Sequence, residues 1–203
     1  MILRTLARAR GANCFDRVIC ATDSPEIVSR VRSAGFEAEL TPDFATGSDR
    51  VAFVASLLHL PLVVNLQGDE PVASHTMLEQ VARTLALDPG SWVTASSPLE
   101  SDSASNPHVV KVLVQDGFAQ EFSRSPVTGS DWRVHRGVYG YSLESLQEFS
   151  KLPQSQAELA NSLEQLRIMG CRPIRVINNS SPSFSVDVPG DIALVESFLL
   201  RST

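Results

Sequence analysis

Short apolar runs alternating with segments of helical period constrain this chain more than any other feature. Strand-like runs Arg17-Val-Ile-Cys-Ala21, Phe36 to Leu40 and Leu62-Val-Val-Asn-Leu66 are separated by stretches near 2–12, 25–34, 49–58 and 75–86, whose apolar residues recur every three to four positions. Strands joined through helices pair in parallel, because a parallel connection needs a long crossover, and the helices then cover both faces of the sheet. The pattern predicts an α/β fold with a mostly parallel, doubly wound, Rossmann-like sheet. The second half is less regular. Extended runs at Trp92 to Ser96, Val109 to Val114 and Gly137 to Tyr141 suggest a strand-rich insertion over about 92–141. A helix near 155–169, a strand near Pro173 to Ile177 and a closing helix near 190–200 follow. The expectation is one domain over 1–203, with loops at Ser97 to Pro107 and Ser123 to Asp131, where Ser, Pro and Gly concentrate.

Composition removes several classes of function. A chain of 203 residues can bury about 70% of its unfolded surface, so it needs neither disulfides nor a structural metal to fold. No apolar run approaches the roughly 20 residues that span a bilayer. The three cysteines, Cys14, Cys20 and Cys171, form no C-x-x-C pair and have no histidine at ligand spacing, which leaves a reducing cytoplasm as the expected compartment. The Arg-rich, acid-free opening 1–10 reads either as a transit peptide or as a packed amphipathic helix; Ile2, Leu3, Leu6 and Ala7 suit the helix. A net charge of −6 argues against a phosphate-backbone partner. Neither lysine, Lys111 or Lys151, sits in a Walker motif, and there is no G-x-S-x-G nucleophile elbow.

In open α/β sheets ligands bind beyond the carboxyl ends of the strands. Gln67-Gly68-Asp69-Glu70-Pro71 follows the third run, and its acids read either as a surface turn or as a Mg²⁺ site, since Mg²⁺ takes one or two protein carboxylates. Asp187, just before the last helix, reads as a cap or as a ligand. Thr46-Gly47-Ser48-Asp49-Arg50 has capping-box spacing, and a helix start beside Gly and Arg also suits an anion. Asp23 reads as structural. His135 and Arg136 could face an acidic substrate or simply begin a strand. Glu164, Gln165 and Arg167 fall on a helix whose apolar face is Leu159, Leu163 and Leu166, so solvent exposure explains them.

Taken in order, A-T-D (21–23), T-G-S-D-R (46–50), V-N-L-Q-G-D-E-P (64–71), N-P-H-V-V-K-V (106–112), F-S-R (122–124), H-R-G-V-Y-G-Y (135–141), L-E-Q-L-R (163–167) and V-D-V-P (186–189) resemble the 3-deoxy-manno-octulosonate (KDO) cytidylyltransferases. The resemblance runs from about Met1 to the last helix, and N-x-Q-G-D-E-P is its most specific fragment. It implies transfer of CMP from CTP to the anomeric hydroxyl of KDO or a related acidic 2-keto sugar, with release of pyrophosphate, for lipopolysaccharide synthesis. It also implies a Mg²⁺ cofactor held by Asp69 and Asp187 as the catalytic acids. Arg50 and Gln67 would lie on the nucleotide side, and His135, Tyr139, Glu164 and Gln165 on the sugar side. A homodimer is implied, for which Val109 to Val114 and Tyr139 to Tyr141 could supply the apolar patch.

The sequence departs from the family at Val134, where an Arg is expected, at Asn161 in place of Glu, and at Val188 in place of Thr. Nothing here resembles the family's opening strand and triphosphate loop. The expectation is that this segment is encoded upstream of Met1 and that the 203-residue chain alone is unstable or binds CTP weakly. A sibling transferase for another sugar acid, or a non-catalytic homologue that dimerises or binds sugar, remain the alternatives.

Overall fold

The computed structural model describes residues 1–180, 185–186 and 188–201, the last without its side chain. The first half follows the expected alternation: α1 (Ile2–Gly11), β1 (Ile19–Thr22), α2 (Pro25–Ser33), β2 (Glu37–Leu40), α3 (Gly47–Leu57), β3 (Leu62–Leu66) and α4 (His75–Leu87). Local chemistry fixes the helix starts. Ser24, Thr46 and Ser74 each accept a hydrogen bond from the backbone N–H three residues on, at 3.2–3.3 Å, a cap worth about 1 kcal/mol each. Pro25 adds a preset φ at the first position of α2.

Next come β4 (Trp92–Ser97), a short α5 (Ser101–Ser105), β5 (Lys111–Gln115), β6 (Phe118–Ser123), β7 (Trp132–Ser142), α6 (Leu143–Phe149), α7 (Gln156–Asn161), β8 (Ile174–Asn178) and α8 (Asp191–Arg201). Of these, β6, α5 and α6 are additional to the sequence expectation. Asp116 and Gly117, both at positive φ (50° and 80°), form the two-residue turn that joins β5 to β6. The long helix expected near 155–169 is broken. Ser162 adopts the left-handed conformation (φ 52°), Leu163 is extended, and a separate 3-10 turn occupies Glu164–Arg167.

The strands form two sheets. β1 and β2 pair in parallel, and a six-stranded sheet has the order β3-β7-β4-β8-β6-β5. Within the larger sheet β4 and β8 are parallel, while β7 runs antiparallel between β3 and β4. Because β3 and β4 both oppose β7, the strands β3, β4 and β8 point the same way.

One face of the large sheet carries Trp92, Tyr139 and Tyr141, which pack with Phe149, Leu146 and Ile168 under α3 and α6. Ring centroids lie 4.4–6.3 Å from Trp92, and each such aromatic pair adds about 0.5–1.5 kcal/mol beyond its area. On the other face Met77, Leu78, Val81 and Leu85 of α4 cover Val93, Ala95 and Val138. Gly140 lets α4 approach: a Cβ there would lie 3.2 Å from Val81 Cγ1. Val112, Tyr139 and Tyr141 are therefore core residues. The apolar patch expected from these runs faces inward, because β5 pairs with β6 and β7 and the tyrosines point into the aromatic layer.

Candidate active site

The turn after β3 is held from three sides. Thr5 Oγ1 donates to Gly68 O at 3.0 Å, Glu70 N donates to Gln67 O at 3.1 Å, and Val186 N donates to Asp69 O at 2.9 Å. The last of these matters most, since it ties the Asp69 turn to the residue immediately before Asp187. Asp187 itself lies outside the described residues. Gly47, at the start of α3, allows Gln67 to come close: a Cβ at Gly47 would lie 2.9 Å from the Gln67 amide nitrogen. Gln67 Cγ and Glu70 Oε1 also come within 3.6 Å of the Cβ position of Gly137, so the turn packs against β7. Three residues further along the chain from Gly47, Arg50 pairs with Asp23 at 3.1 Å and donates to Thr41 Oγ1 at 2.7 Å. The hydrogen bond from Arg50 holds the Asp23 carboxyl below its ordinary value. Arg50 thus stands within the first turn of α3, and Gln67 lies against the residue that begins it.

A second set of residues forms a continuous path on the aromatic face. Glu164 reaches the start of α3, accepting from Ser48 N at 3.0 Å and from Ser48 Oγ at 3.1 Å. Ser48 Oγ also hydrogen-bonds Tyr141 Oη at 2.7 Å. The Tyr141 ring stacks on Tyr139 (6.0 Å, 12°), and the Tyr139 ring lies 5.3 Å from His135. Burial pushes the Glu164 carboxyl up despite the Ser48 bonds, and pushes both tyrosine hydroxyls up, so the tyrosines stay protonated. His135 Nε2 hydrogen-bonds Thr94 Oγ1 at 2.9 Å; burial, with Arg136 and Arg124 nearby, lowers its pKa to about 3. His135 is a neutral hydrogen-bonding group. Positive charge near it comes from arginine, and Arg136 donates through Nε and Nη2 to Ser97 Oγ at 3.0 and 2.8 Å.

Two expectations about the 3-10 segment are corrected. Gln165 is 2% exposed with its Nε2 unpartnered, and Arg167 is buried. Arg167 donates to Glu158 at 2.8 and 2.5 Å and to Asp49 at 3.0 and 3.1 Å, with its guanidinium 4.0 Å over the Phe149 ring. The break at Ser162 rotates these residues inward, so the face expected to meet solvent meets the core. Val134 is buried in β7, opposite Lys111 of β5. Val188 has no side-chain acceptor for the helix N–H groups; Asp191 Oδ2 accepts from Val188 N at 2.9 Å, and Asp191 N donates to Val188 O at 3.0 Å. Ser48, Thr94 and Tyr141 belong to the same path; Thr94 lies in no motif, while Ser48 and Tyr141 sit inside T-G-S-D-R and H-R-G-V-Y-G-Y without being singled out by them. Their signal was positional: Ser48 follows a cap, and Thr94 and Tyr141 share one face of paired strands.

No group of three metal-ligating side chains occurs among the described residues. The donor chemistry nevertheless suits a hard cation, with Asp69 half-buried at a strand end and tied through Val186 to the stretch that carries Asp187.

A sequence model of the cytidylyltransferase family matches residues 1–172. A 3-deoxy-manno-octulosonate cytidylyltransferase of Syntrophobacter fumaroxidans is 39% identical, over 99% of this chain and 87% of its own length. One from Chlorobium luteolum is 37% identical, over 100% and 88%. This chain belongs to the 3-deoxy-manno-octulosonate cytidylyltransferase family. The fold agrees, since the structure of a CMP:2-keto-3-deoxy-manno-octonic acid synthetase complexed with CTP superimposes with a TM-score of 0.92 at 31% identity, covering 100% of this chain and 88% of the other. A glucose-1-phosphate thymidylyltransferase of Bacillus anthracis, 10% identical with a TM-score of 0.71, shares the fold alone.

Proposed function

We propose that this chain transfers CMP from CTP to the anomeric hydroxyl of KDO or a closely related acidic 2-keto sugar, with release of pyrophosphate. The reading extends to a cytoplasmic homodimer that serves lipopolysaccharide synthesis and uses Mg²⁺ held by Asp69 and Asp187. Support for the reaction is family membership over nearly the whole chain. Support for the site is the Val186 N to Asp69 O hydrogen bond, which draws the two acid-bearing segments to one end of the sheet. No helix among the described residues is long and apolar enough to cross a membrane.

Attack at phosphorus needs alignment and charge neutralisation rather than a protein nucleophile. Mg²⁺ would supply that neutralisation at the phosphate oxygens. Arg50, in the first turn of α3, and Gln67, packed against Gly47, would orient the nucleotide. His135, neutral and anchored on Thr94, would hydrogen-bond a sugar hydroxyl, and Arg136 would provide the cation that a sugar carboxylate needs. Glu164 and Gln165 would bound the sugar side, with Tyr139 as its buried floor.

The test is pyrophosphate release with CTP, Mg²⁺ and a panel of acceptors: KDO, N-acetylneuraminate and other 2-keto sugar acids. The reading requires release that depends on CTP and on one of these acids. Release that is indifferent to the acceptor would contradict it.

A further inference from the structure

The hydroxyl of Thr94 has one proton and three hydrogen-bonding neighbours. The residue is fully buried in β4, and its Oγ1 lies 2.8 Å from Val138 O, 3.3 Å from Arg136 O and 2.9 Å from His135 Nε2. A backbone carbonyl can only accept. Two oxygens 2.8 Å apart repel each other unless a proton lies between them, so the threonine proton points to Val138 O. Oγ1 then meets His135 Nε2 only as an acceptor, and the proton on that bond belongs to the imidazole. A neutral imidazole has one N–H, which is here on Nε2, and Nδ1 is left as a bare lone pair. Arg136 and Arg124, whose charges reach the ring, work against a second proton.

The backbone brings these two residues within reach. β4 pairs Thr94 with Tyr139 and then Ala95 with Arg136, so Gly137 and Val138 have no partner in β4 and β7 bulges between them. An unbroken antiparallel ladder would set His135 across from Pro98, about 13 Å along the strand from Thr94 at 3.3 Å per residue. The bulge sets it across from Ser96 instead, roughly half as far and on the same face. It also turns the Val138 and Arg136 carbonyls toward Thr94 Oγ1. Phe122 meets the imidazole edge to face (5.2 Å, 89°) and Tyr139 lies against it at 5.3 Å, so the ring plane is fixed as well as its proton.

Nδ1 has no hydrogen-bond partner among the described residues, and His135 is only half-buried. A bare lone pair accepts a hydroxyl proton and repels a carboxylate oxygen, which has no proton to give. The carboxylate of an acidic sugar must therefore turn to an arginine, and one of its hydroxyls to His135.

We propose that Thr94 is a positioning residue that fixes His135 as its Nε2–H tautomer, so that Nδ1 receives a hydroxyl proton of the acceptor sugar and excludes its carboxylate. The hydroxyl partner rests on the acceptor-side reading given above; the tautomer does not.

The test is a long-range ¹H–¹⁵N correlation spectrum of protein labelled with ¹⁵N-histidine, in which bare and protonated ring nitrogens resonate far apart. With four histidines in the chain, single substitutions assign the signals. At neutral pH and without substrate, His135 should show a protonated Nε2 and a bare Nδ1. Thr94→Val keeps the shape and removes the acceptor, so His135 should become a mixture of tautomers, and KM for the acceptor sugar should rise about 10-fold with KM for CTP unchanged. Thr94→Ser returns the oxygen and should restore both readings. If Thr94→Val does not fold, the unaltered chain and Thr94→Ser still decide the tautomer. An Nδ1–H tautomer in the unaltered chain overturns the proposal, and so does a Thr94→Val chain that keeps both the tautomer and the acceptor KM. The spectrum needs no substrate, so the tautomer can hold in a chain that releases no pyrophosphate and fail in one that does.

Discussion

Replacing Arg167 by methionine isolates the most concentrated electrostatic feature of the protein. Its side chain is 3% exposed, as is that of Glu158, and Asp49 is 14% exposed, so the triad is nearly out of water. Methionine keeps the stack on Phe149 and much of the volume, but it leaves two carboxylates without their cation. Breaking a buried pair by removing one partner costs about 3–5 kcal/mol, because the remaining charge is desolvated and uncompensated. For a domain of this length each kcal/mol shifts Tm by roughly 2–4 °C, so a fall on the order of 6–20 °C is expected. Glu158→Gln added to Arg167→Met removes one stranded charge and should recover part of the loss. Urea unfolding followed by circular dichroism, with thermal melts alongside, measures both variants. A loss below about 1 kcal/mol for Arg167→Met would mean that the triad is hydrated, and would refute the reasoning. The site should respond too, because Asp49 belongs to the capped first turn of α3 from which Ser48 reaches Glu164.

Asp69→Asn and Asp187→Asn should each lower turnover by orders of magnitude with little change in the unfolding midpoint, as judged by pyrophosphate release and urea titration; unaltered rates in both would remove the metal assignment. Gly47→Ala should displace the flexible Gln67 amide, raising KM for CTP several-fold at a stability cost of about 1 kcal/mol or less, which steady-state kinetics and melts separate. His135 titrates near 3 in the folded chain against 6.5 unfolded, so the unfolded state binds the extra proton between those values. Stability is then complete above pH 6.5 and falls as the pH drops toward 3, by up to about 1.4 kcal/mol per pH unit. His135→Asn should flatten that part of a urea-midpoint profile, and an unchanged slope would assign it elsewhere. Light scattering should return twice 22.0 kDa for the homodimer, and the single-chain mass would contradict it.

The helices of the first half were legible because each carries its own start signal, Ser24-Pro25, Thr46 and Ser74, ahead of an apolar period. The strand-end location of Gln67 and Asp69, and the helix-start location of Arg50, followed from the same alternation. The region 155–169 was not legible, since Leu159, Leu163 and Leu166 keep helical spacing while the backbone reverses at Ser162, a residue with no intrinsic preference for the left-handed region. Burial of Glu158 and Arg167 depends on Asp49, more than a hundred positions away, and no local pattern encodes such a partnership. The β5–β6 hairpin had a readable sign in Asp116-Gly117, the dipeptide that this turn favours. The run Val109 to Val114 looked like a surface patch because period alone does not say which face a neighbouring strand will cover.

The central claim, that the sugar's anomeric oxygen attacks the α-phosphorus of CTP, is tested most directly with KDO carrying ¹⁸O at the anomeric hydroxyl. Mass spectrometry of the products should find a CMP–sugar that retains the label and pyrophosphate free of it. Labelled pyrophosphate, or CMP released without a sugar conjugate, would contradict the account.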